Sequence, residues 1–243
     1  MLTFSDISAS YDGKNQAITG LSFTVDQPAI VGIVGPNGAG KSTFIKAALQ
    51  LIPSEGTVTS EGKKLNTFQK TIAYVEQKTA VDYTFPITVK EVVSLGLYPQ
   101  LTLFQRIKSK EWQKVTTALE SVQMADFAER QIGELSGGQF QRVLIARTLV
   151  QDAKYIFLDE PFVGIDAMSE AIIIDLLRTF REQGKTIFIV HHDLGKVTEY
   201  FDELVMMNQR LIAYGPTASV FTEANLKKTF GDAIIVKGGV SDD

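Results

Sequence analysis

The segment of residues 35–43 constrains the fold of this chain more than any other. It reads Gly-Pro-Asn-Gly-Ala-Gly-Lys-Ser-Thr and fits the pattern G-x-x-x-x-G-K-S/T. The apolar run Ile30–Val34 precedes it and a helical pattern begins at Lys41, so the segment joins a buried strand to a helix. In that setting the glycines let backbone N–H groups face a phosphate, and the helix N-terminus adds a partial positive charge. The chain is therefore predicted to bind a nucleoside triphosphate.

Side chains of this phosphate loop have expected roles as well. Lys41 would neutralise the β- and γ-phosphates, and the hydroxyl of Ser42 would bind Mg²⁺. The loop residues expected to contact the nucleotide are Gly35, Pro36, Asn37, Gly38, Ala39, Gly40, Lys41, Ser42 and Thr43. A glycine-rich turn that precedes a helix by chance is the alternative, which the fixed spacing and the preceding strand disfavour.

A second apolar run, Tyr155–Leu158, ends in the acidic pair Asp159 and Glu160. In open α/β sheets, ligands bind at the carboxyl ends of the strands. Asp159 is therefore expected to support Mg²⁺, and Glu160 to polarise the water that attacks the γ-phosphate. Taken alone, such a pair is more often a solvated strand end or a helix cap, so the prediction depends on the other motifs.

Composition limits the classes of protein to which the chain can belong. Its 243 residues suffice for one large domain or two small ones, and it has no cysteine for disulfides or thiolate metal sites. The net charge of −4 and the lack of a long basic run argue against broad nucleic-acid binding. The N-terminus has no signal-peptide pattern, and no apolar run approaches the roughly 20 residues of a membrane span. If the protein works at a membrane, a partner is expected to recruit it.

Strand-like and helical patterns alternate along the chain, which predicts an α/β fold with a largely parallel sheet. Strands are expected at 22–25, 29–34, 71–75, 154–159 and 186–190. Helices are expected at 41–51, 88–97, 111–124, 137–151, 167–183 and 194–201. Turns at 56–58 and 61–63 indicate a short hairpin. The stretch from residue 78 to about residue 131 has no convincing strand and is predicted to form a helical subdomain inserted into the α/β core.

Residues 135–139 read Leu-Ser-Gly-Gly-Gln and precede a helical pattern. A serine and two glycines at the start of a helix can bind an anion in the way a phosphate loop does. A simple serine N-cap followed by flexible glycines is the alternative. The next residues, 140–143, extend the segment into a longer pattern that such a cap does not require.

With the phosphate loop and the acidic pair, this segment resembles the ATP-binding subunits of ABC transporters along nearly the whole chain. The resemblance implies an ATPase with a P-loop NTPase-type parallel-sheet core, a small antiparallel β subdomain and an inserted helical subdomain. Residues 1–243 would form a single ABC ATPase domain. Its α/β core would comprise residues 1–76 and 152–243, and its helical subdomain residues 77–151. ATP and Mg²⁺ would be the cofactors.

The resemblance also implies a homodimer or close heterodimer in which two chains pair head to tail. The segment of Ser136, Gly137, Gly138 and Gln139 in one chain would close on the γ-phosphate held by Lys41 of the other. Asp166 matches the carboxylate of the family's loop that crosses this interface. Each of two ATP molecules would be sandwiched between the chains, and hydrolysis would open the sandwich.

Four further residues are interpreted through the resemblance. Gln77 matches the glutamine that touches Mg²⁺ and the attacking water, and His192 the histidine that contacts the γ-phosphate. Tyr11 resembles the aromatic residue that stacks on adenine, although a tyrosine near a turn is usually a packing residue. Adjacent strand residues point to opposite faces, so His191 and His192 are not expected to bind one metal. His191 stands where many relatives carry a smaller hydroxyl residue, and is expected to pack or to support the site.

The resemblance of four short segments to one subfamily indicates which ion is transported. The segments 81–89, 140–142, 161–166 and 190–194 resemble the subfamily that serves manganese and zinc uptake. Manganese is the first expectation and zinc the second, and iron and metal chelates remain open. The implied partners are a multi-span membrane permease and an extracytoplasmic metal-binding lipoprotein or periplasmic protein, with the chain peripheral on the cytoplasmic face of the membrane.

Tyr83 and Phe85, beside Pro86, suit a pocket that grips a helix of the permease.

Two other classes of protein are alternatives to the importer. A soluble ABC ATPase acting on nucleic acid usually carries two cassettes or long coiled coils, and this chain has one cassette without heptad runs. A P-loop kinase for small molecules is disfavoured by the 135–139 segment and by His192.

Overall fold

A computed structural model describes residues 1–11, 16–77, 85–102 and 106–231. The strands within these ranges are β1 Leu2–Ser10, β2 Gln16–Val25, β3 Ile30–Val34, β4 Ser54–Ser60, β5 Lys63–Lys64, β6 Ile72–Val75, β7 Tyr155–Leu158, β8 Thr186–Val190, β9 Glu203–Met207 and β10 Leu211–Pro216. The α-helices are α1 Lys41–Ala48, α2 Leu65–Phe68, α3 Val89–Ser94, α4 Ser109–Ser121, α5 Gly137–Gln151, α6 Ala167–Glu182, α7 Val197–Tyr200, α8 Thr217–Val220 and α9 Glu223–Phe230. Short 3-10 helices lie at Gln69–Thr71, Leu95–Gln100, Ala125–Phe127, Ile132–Glu134 and Leu194–Lys196.

The larger sheet of the described residues has the strand order β10-β9-β3-β8-β7-β6, and all its pairs except β10–β9 are parallel. Every residue of β3, β7 and β8 is buried, as expected for strands covered on both faces. Ile33 pairs with Val190 and Leu158 pairs with Ile189, so the carboxyl ends of these three strands meet at one edge. The α/β fold with a largely parallel sheet is confirmed.

The smaller sheet is antiparallel, with the order β2-β1-β4-β5 within the described ranges. Its Phe4 and Phe23 pack on Phe44 of α1 with ring centroids 5.3 and 5.7 Å apart, and Phe4 also meets Phe188 of β8 at 5.6 Å. The helix that follows the phosphate loop is therefore held between the two sheets. This arrangement confirms the predicted antiparallel β subdomain.

The part of the chain between β6 and β7 contributes α3, α4 and α5, whose inner faces share one apolar core. Two side chains of α5 fasten it to the edge strand of the larger sheet. The guanidinium of Arg147 donates to the carbonyl oxygen of Tyr74 at 3.2 Å, and the amide of Gln151 donates to that of Ile72 at 2.6 Å. These two bonds join α5 to β6, the strand that leads to Gln77.

Several predicted boundaries differ from the structure. β2 begins at Gln16 instead of residue 22, and α1 ends at Ala48 instead of residue 51 because Gln50 takes a left-handed conformation with φ 56°. The helix predicted at 88–97 becomes 3-10 from Leu95 onward, and the one predicted at 194–201 is a 3-10 turn followed by the short α7.

Some elements were missed or misplaced. β1, β9 and β10 were not predicted, and the turn expected at 56–58 lies inside β4. A Cβ on Gly56 would lie 2.5 Å from the carbonyl oxygens of Ser5 and Asp6, so that glycine permits close approach of two strands. Within the described ranges no helix is long and apolar enough to cross a membrane.

Candidate nucleotide-binding and hydrolysis site

Glycines shape the phosphate loop between β3 and α1. Gly40 is the N-cap of α1 in a left-handed conformation, with φ 87°, and no side chain caps the helix. A Cβ on Gly40 would lie 2.3 Å from Cγ2 of Ile18, and one on Gly35 would lie 2.1 Å from the carbonyl oxygen of Met207. The backbone thus leaves no room for side chains here, and the N–H groups of the first helical turn remain available to an anion.

Lys41 is bound to the loop itself. Its side chain is buried, and its ammonium donates to the carbonyl oxygens of Gly35 at 2.9 Å and Pro36 at 3.0 Å. Burial lowers the pKa of Lys41, while Glu160 and Asp159 act in the opposite direction. The loop therefore holds a cation next to two carboxylates, in a position where phosphate oxygens can replace the two carbonyls.

Ser42 and Asp159, two of the predicted magnesium ligands, lie together. The Ser42 hydroxyl donates to Oδ1 of Asp159 at 2.9 Å, and Asp159 is only 4% exposed. Burial raises the pKa of Asp159, against the hydrogen bond from Ser42. A buried carboxylate of this kind is stabilised by a nearby cation. The third predicted ligand, Gln77, contacts Glu160 instead of Asp159.

Glu160 lies at the centre of three strand ends. Nε2 of Gln77, after β6, donates to its Oε2 at 2.6 Å, and Nε2 of His192, after β8, contacts its Oε1. Glu160 has a φ of 52°, a left-handed conformation that is rare for residues other than glycine, asparagine and aspartate. The strained backbone and the two partners fix the direction of this carboxylate.

Tyr11 stands at the mouth of an open cleft of about 500 Å³ beside the phosphate loop. Its hydroxyl is 3.1 Å from Oγ1 of Thr43, and the side chain is 68% exposed. Gln16 and Gln209 also line this cleft and were not identified from the sequence. Gln209 follows β9, and its N–H donates to the carbonyl oxygen of Ala39 at 2.9 Å. Such a contact carries no local sequence signal.

The 135–139 segment and Asp166 lie together, at the starts of α5 and α6. Ser136 and Gln139 cap α5 reciprocally: the Ser136 hydroxyl accepts from the Gln139 N–H at 3.2 Å, and the Gln139 side chain accepts from the Ser136 N–H at 2.8 Å. A Cβ on Gly138 would lie 2.5 Å from Oγ of Ser169 and 2.7 Å from Oδ2 of Asp166. A glycine is required here for α5 to approach α6.

Asp166 caps α6 in its own chain. Its side chain accepts hydrogen bonds from the N–H and the hydroxyl of Ser169, each at 2.8 Å, and these bonds lower its pKa. The structure thus places Ser136, Gly137, Gly138, Gln139 and Asp166 on one surface, on elements other than those that carry the phosphate loop. Their contact with the nucleotide stays a prediction that needs a second chain.

The two histidines point in different directions. His192 faces Glu160, whereas His191 is 5% exposed and packs among Phe162, Tyr200 and Phe201. Burial lowers the pKa of His191. Of the residues predicted to contact the permease, Phe85 is exposed and Tyr83 lies outside the described residues.

Comparisons with protein families, related sequences and solved structures all point to the same family. A model of the ABC transporter family matches residues 18–163. The manganese transport system ATP-binding protein MntB of Listeria innocua is 52% identical over 89% of this chain and 91% of its own length. The zinc transport system ATP-binding protein TroB of Treponema pallidum is 44% identical over 94% of this chain and 86% of its own length. A crystal structure of a nucleotide-free ATP-binding cassette from an ABC transporter superposes with a TM-score of 0.79 at 26% identity, covering 98% of this chain and 97% of the cassette.

Proposed function

Since this chain belongs to the ABC transporter family, we propose that it is the ATP-hydrolysing subunit of a membrane importer for a divalent metal ion. Manganese is the first candidate, because a manganese transport protein is 52% identical to this chain over 218 aligned residues. Zinc is the second, because the zinc relative is similar over nearly the same length. The chain would sit on the cytoplasmic face of the membrane against a multi-span permease, to which an extracytoplasmic lipoprotein or periplasmic protein delivers the metal.

The proposal of ATP hydrolysis rests on the position of Glu160, where the ends of three strands meet. Glu160 would accept a proton from the attacking water, since its carboxylate is held between Gln77 and His192. These two partners would keep the carboxylate directed at that water and orient the γ-phosphate. Lys41 would leave the carbonyls of its own loop and bind the phosphates.

The residues around Ser42 fit a magnesium ion. A hydroxyl and a buried carboxylate 2.9 Å apart are the oxygen ligands that Mg²⁺ prefers. Burial raises the pKa of Asp159, and a cation beside its carboxylate would offset that cost. Ser42 and Gln77 would bind the ion directly, and Asp159 would support it through water. When bound, the ion would neutralise charge on the β- and γ-phosphates.

A second copy of the chain would complete each site. The surface made by Ser136, Gly138 and Asp166 offers a helix N-terminus with a serine hydroxyl, which is chemistry suited to a γ-phosphate. One chain carries one phosphate loop and one such surface. Head-to-tail pairing would therefore build two equivalent ATP sites, and loss of the γ-phosphate would release the pairing.

Metal uptake tests the cargo. None of the residues of the ATP site would touch the transported ion, so the choice of metal belongs to the permease and to the protein that delivers the ion. A strain lacking this chain should lose high-affinity manganese uptake and recover it with the wild-type chain but not with Lys41→Ala. Loss of zinc uptake with normal manganese uptake would make zinc the transported metal in place of manganese. Unchanged uptake of both metals would refute the importer.

A further inference from the structure

A cavity of about 170 Å³ adjoins the Glu160–His192 pair. Both members of the pair line it, together with Phe162 from the segment that follows Glu160. Glu170 of α6 and Lys196 line it as well and form an ion pair at 2.5 Å. The cavity therefore borders the proposed hydrolytic side chains on one side and charged groups on the other.

His191 also lines this cavity, but most of its ring is enclosed by aromatic side chains. Ring centroids lie 5.6 Å away at Phe162, 6.0 Å at Tyr200 and 5.4 Å at Phe201, and the Phe162 and Phe201 contacts are edge-on. We call these three rings the aromatic cage. Within the described part of the chain, Nε2 of His191 is buried and has no hydrogen-bond partner. A buried ring nitrogen without a partner is uncommon and calls for an explanation.

The aromatic cage connects the segments of Glu160 and His192 to β3, the strand that enters the phosphate loop. Phe162 follows Glu160 by two residues, and His191 is the neighbour of His192. Phe201 packs on β3, where a Cβ on Gly32 would lie 2.5 Å from Cδ2 of its ring. The ring of His191 thus lies between the strand that enters the phosphate loop and the two segments that carry Glu160 and His192.

The imidazole has two possible surroundings. In the cage, burial among aromatic rings lowers its pKa, and its Nε2 has no hydrogen-bond partner there among the described residues. In the adjoining cavity a charged imidazolium would meet the carboxylates of Glu170 and Asp193, which favour the proton, and the cation of Lys196 and the ring of His192, which oppose it. Glu160 and the hydroxyl-bearing ring of Tyr200 complete the groups that face it. A phenylalanine would fill the cage with a ring of similar size but cannot take up a proton.

We propose that His191 is a positioning residue for ATP hydrolysis. While the His191 ring occupies the aromatic cage, it keeps the carboxylate of Glu160 in contact with the imidazole of His192. Entry of the ring into the cavity removes the support from Phe162 and from the segment of His192, and the pair separates. A proton on Nε2 would have no acceptor in the cage, whereas Glu170 offers a carboxylate in the cavity, so acid would favour the separated arrangement. The inference rests on the proposed ATPase function of the same site.

The test measures kcat and KM for MgATP between about pH 5.5 and 8.5, with the full chain assembled with its permease. Four proteins are compared: wild type, His191→Phe, His191→Ser and the control Phe180→Leu, which loosens the buried face of α6 outside the cage. Because the chain has only two histidines, NMR of the wild-type rings also follows the titration of His191 directly.

In the wild type, kcat should fall in acid with a component whose midpoint matches the titration of His191. His191→Phe should keep kcat at about pH 8 within about threefold and lose that component. His191→Ser should lower kcat about tenfold at every pH with KM changed less than about twofold, because misplacement of reacting groups acts on the chemical step. Phe180→Leu should melt at a lower temperature and keep the wild-type pH profile.

Three results would overturn the inference. His191→Phe could retain the whole acid decrease, or His191→Ser could turn over like the wild type. If neither variant folds, the NMR titration of His191 in the wild type decides. A midpoint outside the pH range in which kcat of the wild type falls would overturn the inference. A wild-type chain without any hydrolysis would instead refute the proposed function, and with it this inference.

Discussion

Replacing Gly40 by alanine should damage the phosphate loop more than the same replacement at Gly38. Both glycines have positive φ, 87° and 79°, so both variants incur the cost of a left-handed alanine, about 1–2 kcal/mol. At Gly40 the new Cβ would also lie 2.3 Å from Cγ2 of Ile18 and 2.9 Å from the carbonyl oxygen of Ala17. Ile18 is fully buried, so this contact adds an overpacking cost of about 1–3 kcal/mol. At Gly38 nothing lies within 4 Å of the added Cβ.

The expected loss in free energy of unfolding is therefore about 2–5 kcal/mol for Gly40→Ala and about 1–2 kcal/mol for Gly38→Ala. Urea unfolding followed by circular dichroism measures both, and a fluorescent ATP analogue measures nucleotide affinity in the same preparations. Gly40→Ala should also bind the analogue more weakly, because relief of the clash moves the loop away from Ile18. Equal losses for the two variants would refute the reasoning.

Three further predictions concern the charged and polar groups of the site. Lys41→Ala should weaken nucleotide binding at least about tenfold in an equilibrium titration, since it removes the cation that faces the phosphates. Ser136→Arg should leave ATP binding by the monomer within about twofold and abolish ATP-induced dimers in size-exclusion chromatography; an equal loss of both would contradict the shared site. The lowered pKa of His191 means that the unfolded chain binds this proton first, so the free energy of unfolding should fall as pH drops below about 6.5. Urea unfolding at about pH 8 and about pH 5.5 measures this decrease in the free energy of unfolding. It should be smaller in His191→Phe.

Local patterns carried the predictions that the structure reproduces most closely. Helix α5 spans residues 137–151 as predicted, because Ser136 and Gln139 form a capping box and neither proline nor glycine interrupts residues 139–151. The phosphate loop could likewise be identified from its spacing, since only glycine fits at positions 35 and 40. In both places the residues that determine the backbone are neighbours in sequence.

Features that depend on distant parts of the chain could not be predicted. β9 is a short run whose pairing with β3 joins Val31 to Glu203, and nothing near either residue indicates that register. Gln209 reaches the nucleotide cleft only because the turn after β9 hydrogen-bonds to Ala39. The cage around His191 is assembled from Phe162 on one segment and from the neighbours Tyr200 and Phe201 on another.

Replacement of Glu160 by glutamine tests the central claim, that Glu160 drives ATP hydrolysis in a site completed by a second chain. Phosphate release and size-exclusion chromatography with MgATP are measured for Glu160→Gln, for the wild type and for a control, Glu61→Gln, whose exposed carboxylate pairs with Lys154. The account predicts that Glu160→Gln lowers turnover by at least about a hundredfold and accumulates an ATP-bound dimer, while the control behaves like the wild type. A Glu160→Gln protein that hydrolyses ATP at the wild-type rate, or one that binds ATP and stays monomeric, would contradict the account.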